Sequence, residues 1–321
     1  MTPMQQMFLG LGAAVSYNWN GDRAIGGGGR NASGADINNI AYFSISNTSG
    51  DASDFGDLSA IQYGTNGTSG GASSAVRGIF WGGWEDSQGN GTNKIEYITI
   101  ASTGNASDFG DRTQSTRQGY GACSNGTRCC YAGGYGGSPA ATQNVIEYIT
   151  TMSTGNATDF GDLTRAGSNS SGTGDGSRGI FWGGSVNSDG SIQYITIEST
   201  GNATNFGALT GNSGTLDGSF GNGTHCMMGG IYPDQLQINK ITVQTTGDAT
   251  NVGDLTGAVE GMGGAGSAAI DRGVWFGGST GPNYFNVTNN IQYITVSSGS
   301  NASDFSGDFI TTRGMGALSG D

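Results

Sequence analysis

Apolar and polar residues alternate along this chain in short runs, and the runs recur. In residues 145–152 (VIEYITTM), Ile146, Tyr148 and Thr150 fall on one face of an extended strand, and Glu147, Ile149 and Thr151 on the other. Apolar residues on both faces predict a strand sandwiched between neighbouring sheets. Similar runs occupy residues 40–45, 95–100, 192–197, 238–243 and 291–296. Two further phrases accompany them. One, close to RGIFWGG, is marked by Arg23, Arg77, Arg128, Arg178, His225 and Arg272, at steps of 47 to 54 residues. The other, close to GNATDFGDLT, fills residues 50–58, 104–113, 155–164, 201–210, 247–256 and 300–309.

The third copy is the clearest. Residues 117–124 (RQGYGACS) are small and Gly-rich, as suits a strand lining a crowded axis. Asn125-Gly126 then signals a tight hairpin of type I′, which needs positive φ at both central residues. Residues 128–132 (RCCYA) form a second strand that stops at Gly133-Gly134, and a variable loop runs through Gln143 to the third strand at 145–152. Residues 155–164 predict a turn and a short, acidic outer strand with Phe160 and Leu163 packing inward; Asn and Asp bond the nearby backbone in such turns.

Four short strands repeated at a period near 50 residues are the signature of a propeller. The expected fold is all-β: a six-bladed β-propeller of four-stranded antiparallel blades over residues 21–321, preceded by an arm at 1–20. The first copy lacks an innermost strand, whereas residues 313–321 (RGMGALSGD) look like one with no partner after it. The C-terminal strand is therefore expected to complete the N-terminal blade.

Composition refines this picture. The 63 glycines fall between recurring aromatic and β-branched positions, so they read as punctuation in a folded chain. A net charge of −13, with Lys94 and Lys240 the only lysines and the arginines dispersed, argues against nucleic-acid binding. No stretch approaches the length of a membrane span. Residues 7–15 (MFLGLGAAV) resemble the apolar core of a signal peptide but lack its basic start, so no cleaved signal is expected. Adjacent Cys129 and Cys130 point to opposite faces of one strand, and Cys226 takes the place of Cys129 two copies later. Buried free thiols are expected, with Cys123 the fourth.

Chemistry is harder to find than scaffold. With His225 the sole histidine, a zinc or copper ligand set is not available, and no cofactor is expected. Dispersal around the ring turns the repeat arginines into structural links between neighbouring blades. Asp51, Asp54, Asp57, Asp108, Asp111, Asp159 and Asp162 invite a calcium reading, but the spacing does not match an EF-hand loop. The fourth copy replaces the series with Asn202, Asn205 and Ala208, so turn and strand caps are the expected role. Asn-x-Ser/Thr triplets at Asn31, Asn105, Asn156, Asn202 and Asn301 arise from composition.

The loops after each Gly-Gly differ most between copies, and repeat proteins place binding insertions on one such face. Trp84, Glu85, Asp86, Tyr135, Tyr232, Asp234, Asn283 and Tyr284 are the candidate ligand-binding residues. Their aromatic rings suit stacking on sugars and their polar groups suit sugar hydroxyls; the alternative is loop drift on a spacer module. Met4, Met7, Phe8 and Leu9 give residues 1–20 an adaptable apolar contact surface for docking to a larger assembly.

Phe80-Trp81-Gly82-Gly83, Tyr131-Ala132-Gly133-Gly134, Phe181-Trp182-Gly183-Gly184 and Trp275-Phe276-Gly277-Gly278, each followed by a variable loop and a Tyr-bearing strand, resemble the Kelch repeat. The outer phrase departs from it, with Phe-Gly-Asp-Leu in place of a Trp-centred segment. That phrase is similar to repeats in structural proteins of marine phages and other large aquatic viruses. The resemblance implies a virion surface or tail component; with it, the chain is expected to be a non-enzymatic structural protein of capsid or tail in multiple copies, the arm meeting other virion proteins and the variable loops meeting host-surface glycans. The alternative is an extracellular carbohydrate-binding or glycan-hydrolysing propeller of cellular origin.

Overall fold

The computed structural model describes residues 21–60, 71–84, 91–119, 121–137, 139–168, 170–184, 190–211, 218–231, 235–257, 260–280 and 286–320. Every regular element among them is a β-strand, and all strand pairs are antiparallel. Repeats 2 to 6 each supply an inner, a second, a third and an outer strand, and repeat 1 supplies the last three. In repeat 4 these are Ser171–Gly174, Arg178–Trp182, Ser191–Thr196 and Thr204–Ala208, paired in that order.

The sheets stand in a propeller-like ring. The inner strands of successive repeats lie side by side: Gly71–Ser73, Ala122–Ser124, Ser171–Gly174, Ser219–Gly221, Glu260–Ser267 and finally Gly316–Gly320, which returns to the first. Gly316–Gly320 also pairs along its whole length with Arg23–Gly27, the second strand of repeat 1. The end of the chain thus supplies the strand that repeat 1 lacks.

The core lies between the sheets, which is why both faces of the third strand are apolar. Each apolar cluster draws on two consecutive repeats. One joins Ile180, Trp182 and Phe206 of repeat 4 to Cys226, Met228 and Ile241 of repeat 5. Another joins Ala24, Phe43 and Ile45 of repeat 1 to Val274, Phe276 and Phe305 of repeat 6, closing the circle. Phe160 and Leu163 are buried as expected, each 3 % exposed. Phe160 stands edge-on to Tyr148 at 6.0 Å, an arrangement repeated by Phe55 with Tyr42, Phe109 with Tyr97 and Phe206 with Tyr194. Such pairs add about 0.5–1.5 kcal/mol each beyond the area they bury.

Four expectations need correction. The hairpin of repeat 3 turns on Gly126-Thr127 and not on Asn125-Gly126. Asn125 N–H donates to Arg128 O at 3.1 Å, Asn125 Oδ1 accepts from the Thr127 and Arg128 amides, and only Gly126 has positive φ (85°). The side-chain cap removes the need for a left-handed asparagine, so the turn is not type I′. Second, Arg117 and Gln118 do not open the inner strand; they end the outer strand of repeat 2, Ser107–Gln118. Third, Thr312–Arg313 pairs with Arg30–Asn31, and the inner strand starts only at Gly316. Fourth, the outer strands of repeats 2 and 3 are not short, at 12 and 10 residues. Thr116 and Gln118 pair with Gly136 and Tyr135, so these two repeats share one eight-stranded sheet instead of standing as separate blades.

Candidate functional site

The recurring polar residues meet at the seams between repeats. Each repeat arginine begins a second strand, stacks on the tyrosine of its own third strand, and donates from Nη1 to a carbonyl in the next repeat. Arg77 lies 4.2 Å over Tyr97 and donates to Thr151 O at 3.1 Å. Arg128 lies 4.3 Å over Tyr148 and donates to Ile197 O at 2.9 Å; Arg178 lies 4.5 Å over Tyr194 and donates to Val243 O at 3.1 Å. Arg23 donates to Ile100 O in the same way. These arginines are links and do not converge on a common site.

Repeat 5 breaks the series. His225 replaces the arginine, Lys240 the tyrosine and Val252 the phenylalanine. Lys240 Nζ instead donates to Ser297 O of repeat 6, so the seam keeps a cation-to-carbonyl bond. Asp271, at φ 52°, accepts from Asn222 Nδ2 at 2.7 Å and from the Ser297 amide and hydroxyl. Burial and then the Lys240 ammonium hold His225 below its ordinary 6.5, against the pull of Asp271. Burial also lowers Lys240. Burial pushes Asp271 up, but the bonds from Ser297 and Asn222 outweigh it and leave the carboxyl below its ordinary value.

A second link runs around the rim and accounts for the Gly-Asn-Ala…Phe-Gly-Asp phrase. Asn105 Oδ1 accepts from the Asp57 amide at 3.1 Å, Asn156 from Asp111, Asn202 from Asp162 and Asn301 from Asp254, each at 3.0 Å. Asp248 and Asp51 serve Ala208 and Asp308 in the same way. The Asn of this phrase, or the Asp that stands in its place at Asp51 and Asp248, caps backbone across each seam, and the later Asp contributes its amide. The glycine between them is needed for close approach: a Cβ at Gly161, where φ is 146°, would lie 2.5 Å from the Gly201 carbonyl.

A third link joins the third strand to the preceding repeat. Gln193 Oε1 accepts from the Thr164 amide at 2.7 Å, and Gln292 from Thr256 likewise. Between repeats 2 and 3 this position is Glu147, which accepts from Thr113 N at 2.6 Å and forms a 2.7 Å ion pair with Arg112. Both side chains are almost fully enclosed, at 1 % and 0 % exposure. Arg112 also lies 4.1 Å over Tyr131 and donates to Thr116. The sequence reading passed over this pair; its signal was an arginine where four other repeats place Leu58, Leu163, Leu209 and Leu255.

Of the candidate ligand-binding residues, Trp84 and Tyr135 are described, and both are half-buried. Tyr135 does not sit in a loop. It belongs to the strand Arg128–Gly136, paired with Thr142 on one side and Gln118 on the other, where the sheet is shared by repeats 2 and 3. Glu85, Asp86, Tyr232, Asp234, Asn283 and Tyr284 lie outside the described residues, as do Met4, Met7, Phe8 and Leu9. On the axis, the inner strands surround an open cavity of about 70 Å³ bordered by Ser73, Cys123, Thr173, Ser219 and Ser319. Its hydroxyls are largely turned to neighbouring strands: Ser319 donates to Gly266 O at 2.7 Å and Ser171 to Ser219 at 2.7 Å. Among the described residues, no three His, Cys, Asp or Glu side chains converge as a metal-binding group. No protein-family model matches the chain, and no curated protein matches it in sequence.

Proposed function

We propose that this chain is a non-enzymatic structural protein of a virion, a capsid-decoration or tail component carried in many copies at the particle surface. In this reading each repeat is one blade of a six-bladed Kelch-like ring, with repeats 2 and 3 fused at their edge. The observation that carries the reading is the use made of the recurring polar side chains. Arginines, rim asparagines and aspartates, and third-strand glutamines bond across seams. The recurring chemistry therefore serves assembly of the ring, and recognition falls to what differs between repeats. The similarity of the rim phrase to repeats of phage and aquatic-virus structural proteins supplies the setting.

Residues 1–20, with Met4, Met7, Phe8 and Leu9, dock the ring onto other virion proteins. The variable face around Trp84 and Tyr135 contacts host-surface glycans, its rings stacking on sugar faces. Quantitative mass spectrometry of purified particles tests the first claim: the chain is expected in many copies per particle, and its absence contradicts the reading. A glycan array tests the second. Binding by the intact chain that falls at least tenfold in Trp84→Ala or Tyr135→Ala is expected, and no binding by the intact chain overturns the attachment role.

A further inference from the structure

Cys123 and Cys130 face each other across the inner hairpin of repeat 3. The turn at Gly126-Thr127 sets this register, pairing Ser124 with Cys129, Cys123 with Cys130 and Ala122 with Tyr131. A turn centred on Asn125-Gly126 would instead have set Cys123 against Arg128. Asn125 N–H donates to Arg128 O and Ala132 N–H to Gly121 O. Residues 125/128 and 121/132 are thus hydrogen-bonded pairs, and 123/130, midway between them, is another. Such a pair holds its Cα atoms about 5.5 Å apart, inside the Cα range of disulfides, while its Cβ atoms sit at the wide end for facing residues, so forming the bond draws the two strands together locally.

The two side chains also lie on one face. Both belong to the cluster containing Phe181 and Ile195. Cys129 packs on the opposite face with Trp81 and Tyr131, and Cys226 lies between repeats 4 and 5. Cys123 alone among the four borders the axial cavity, whose volume of about 70 Å³ admits water-sized molecules.

We infer that Cys123 and Cys130 are an oxidation site: a small peroxide entering the axial cavity converts them to a cross-strand disulfide. The Cys123 thiolate attacks one peroxide oxygen, the O–O bond breaks, and hydroxide leaves a sulfenic acid on Cys123. The Cys130 sulfur then attacks the Cys123 sulfur and displaces the second oxygen as water. In sum two thiols and one hydrogen peroxide give one disulfide and two waters. The bond closes the inner hairpin of one repeat and leaves the other five as they are. The neighbouring Cys130 thiol, followed by burial, raises the Cys123 thiol well above its ordinary 9.0. Thiolate is therefore scarce near neutrality, and the reaction is slow there and accelerates with pH.

The test uses the full chain treated with hydrogen peroxide at pH 7 and pH 9, quenched, denatured and alkylated, then mapped by mass spectrometry without reduction. The expected product links the Cys123 and Cys130 peptides, leaves Cys129 and Cys226 alkylated, and forms at least tenfold faster at pH 9. Cys129→Ser should retain the product, whereas Cys123→Ser and Cys130→Ser should each lose it. Four alkylated thiols at both pH values, or a link through Cys129 or Cys226, would overturn the assignment.

Discussion

Arg272 donates from Nη1 to the carbonyl oxygen of Ile45 at 2.9 Å, a bond between residues 227 positions apart. It is the same bond that Arg128 makes to Ile197, here running from repeat 6 to repeat 1. The guanidinium lies 4.9 Å over Tyr293. A charged hydrogen bond contributes about 1.5–3 kcal/mol and the ring contact about 0.5–1 kcal/mol more. Arg272→Ala should therefore destabilise the chain by about 2–3 kcal/mol in urea unfolding. A loss as large in Arg178→Ala would show that the closing seam is held like any other. No loss in either variant would contradict the link.

The Arg112–Glu147 pair should respond in a non-additive way. Removing one partner strands a buried charge, so Arg112→Leu or Glu147→Gln alone should cost about 3–5 kcal/mol. The double variant recreates the Leu163 and Gln193 combination of the following seam and should recover most of that loss. A double-mutant cycle read by chemical unfolding decides the matter; additive losses would mean that the pair is not coupled.

At the rim, Gly161→Ala places a methyl against the Gly201 carbonyl and should cost about 1–3 kcal/mol. Asn202→Asp keeps the accepting oxygen, as Asp248 does at its own seam, and should be nearly neutral. Asn202→Ala leaves the Asp162 amide without its cap and should cost about 1 kcal/mol. Thermal melts that rank these three variants in another order would contradict the proposed division of roles.

The seam between repeats 5 and 6 should be sensitive to acid. The folded pKa of His225 lies below its unfolded value near 6.5, so the native state binds fewer protons. Its contribution is complete above about 6.5 and is lost as pH falls through the lower folded value. Asp271, also lowered, holds its own contribution until more acid conditions. Urea midpoints should fall between pH 7 and pH 5, and His225→Asn should flatten that fall. An unchanged slope in the variant would remove His225 from the account.

The ring and its closure were legible because periodicity survives local variation: the strand of Tyr148 and the final Gly-rich segment lie where the pattern put them. Strand bounds were less legible. Whether Gly126 or Asn125 leads a turn depends on a side-chain cap, and one residue of shift changed which cysteine faces which. The fusion of repeats 2 and 3 rests on residues beyond the repeated phrase, Thr116, Gln118, Tyr135 and Gly136, which no periodicity marks. The structural role of the arginines followed from their dispersal. Arg112 departs from the leucine of four other repeats, but only its place beside Glu147 gives that departure a role.

Native-state hydrogen exchange at residues 316–320 reads the closure of the ring most directly. Their strand pairs with Arg23–Gly27 and lies against the inner strands of repeats 2 and 6. The account predicts that these amides exchange as slowly as those of Arg23–Gly27, through the same cooperative opening. Exchange within seconds at 316–320, with Arg23–Gly27 still protected, would contradict a ring sealed by its own C-terminal strand.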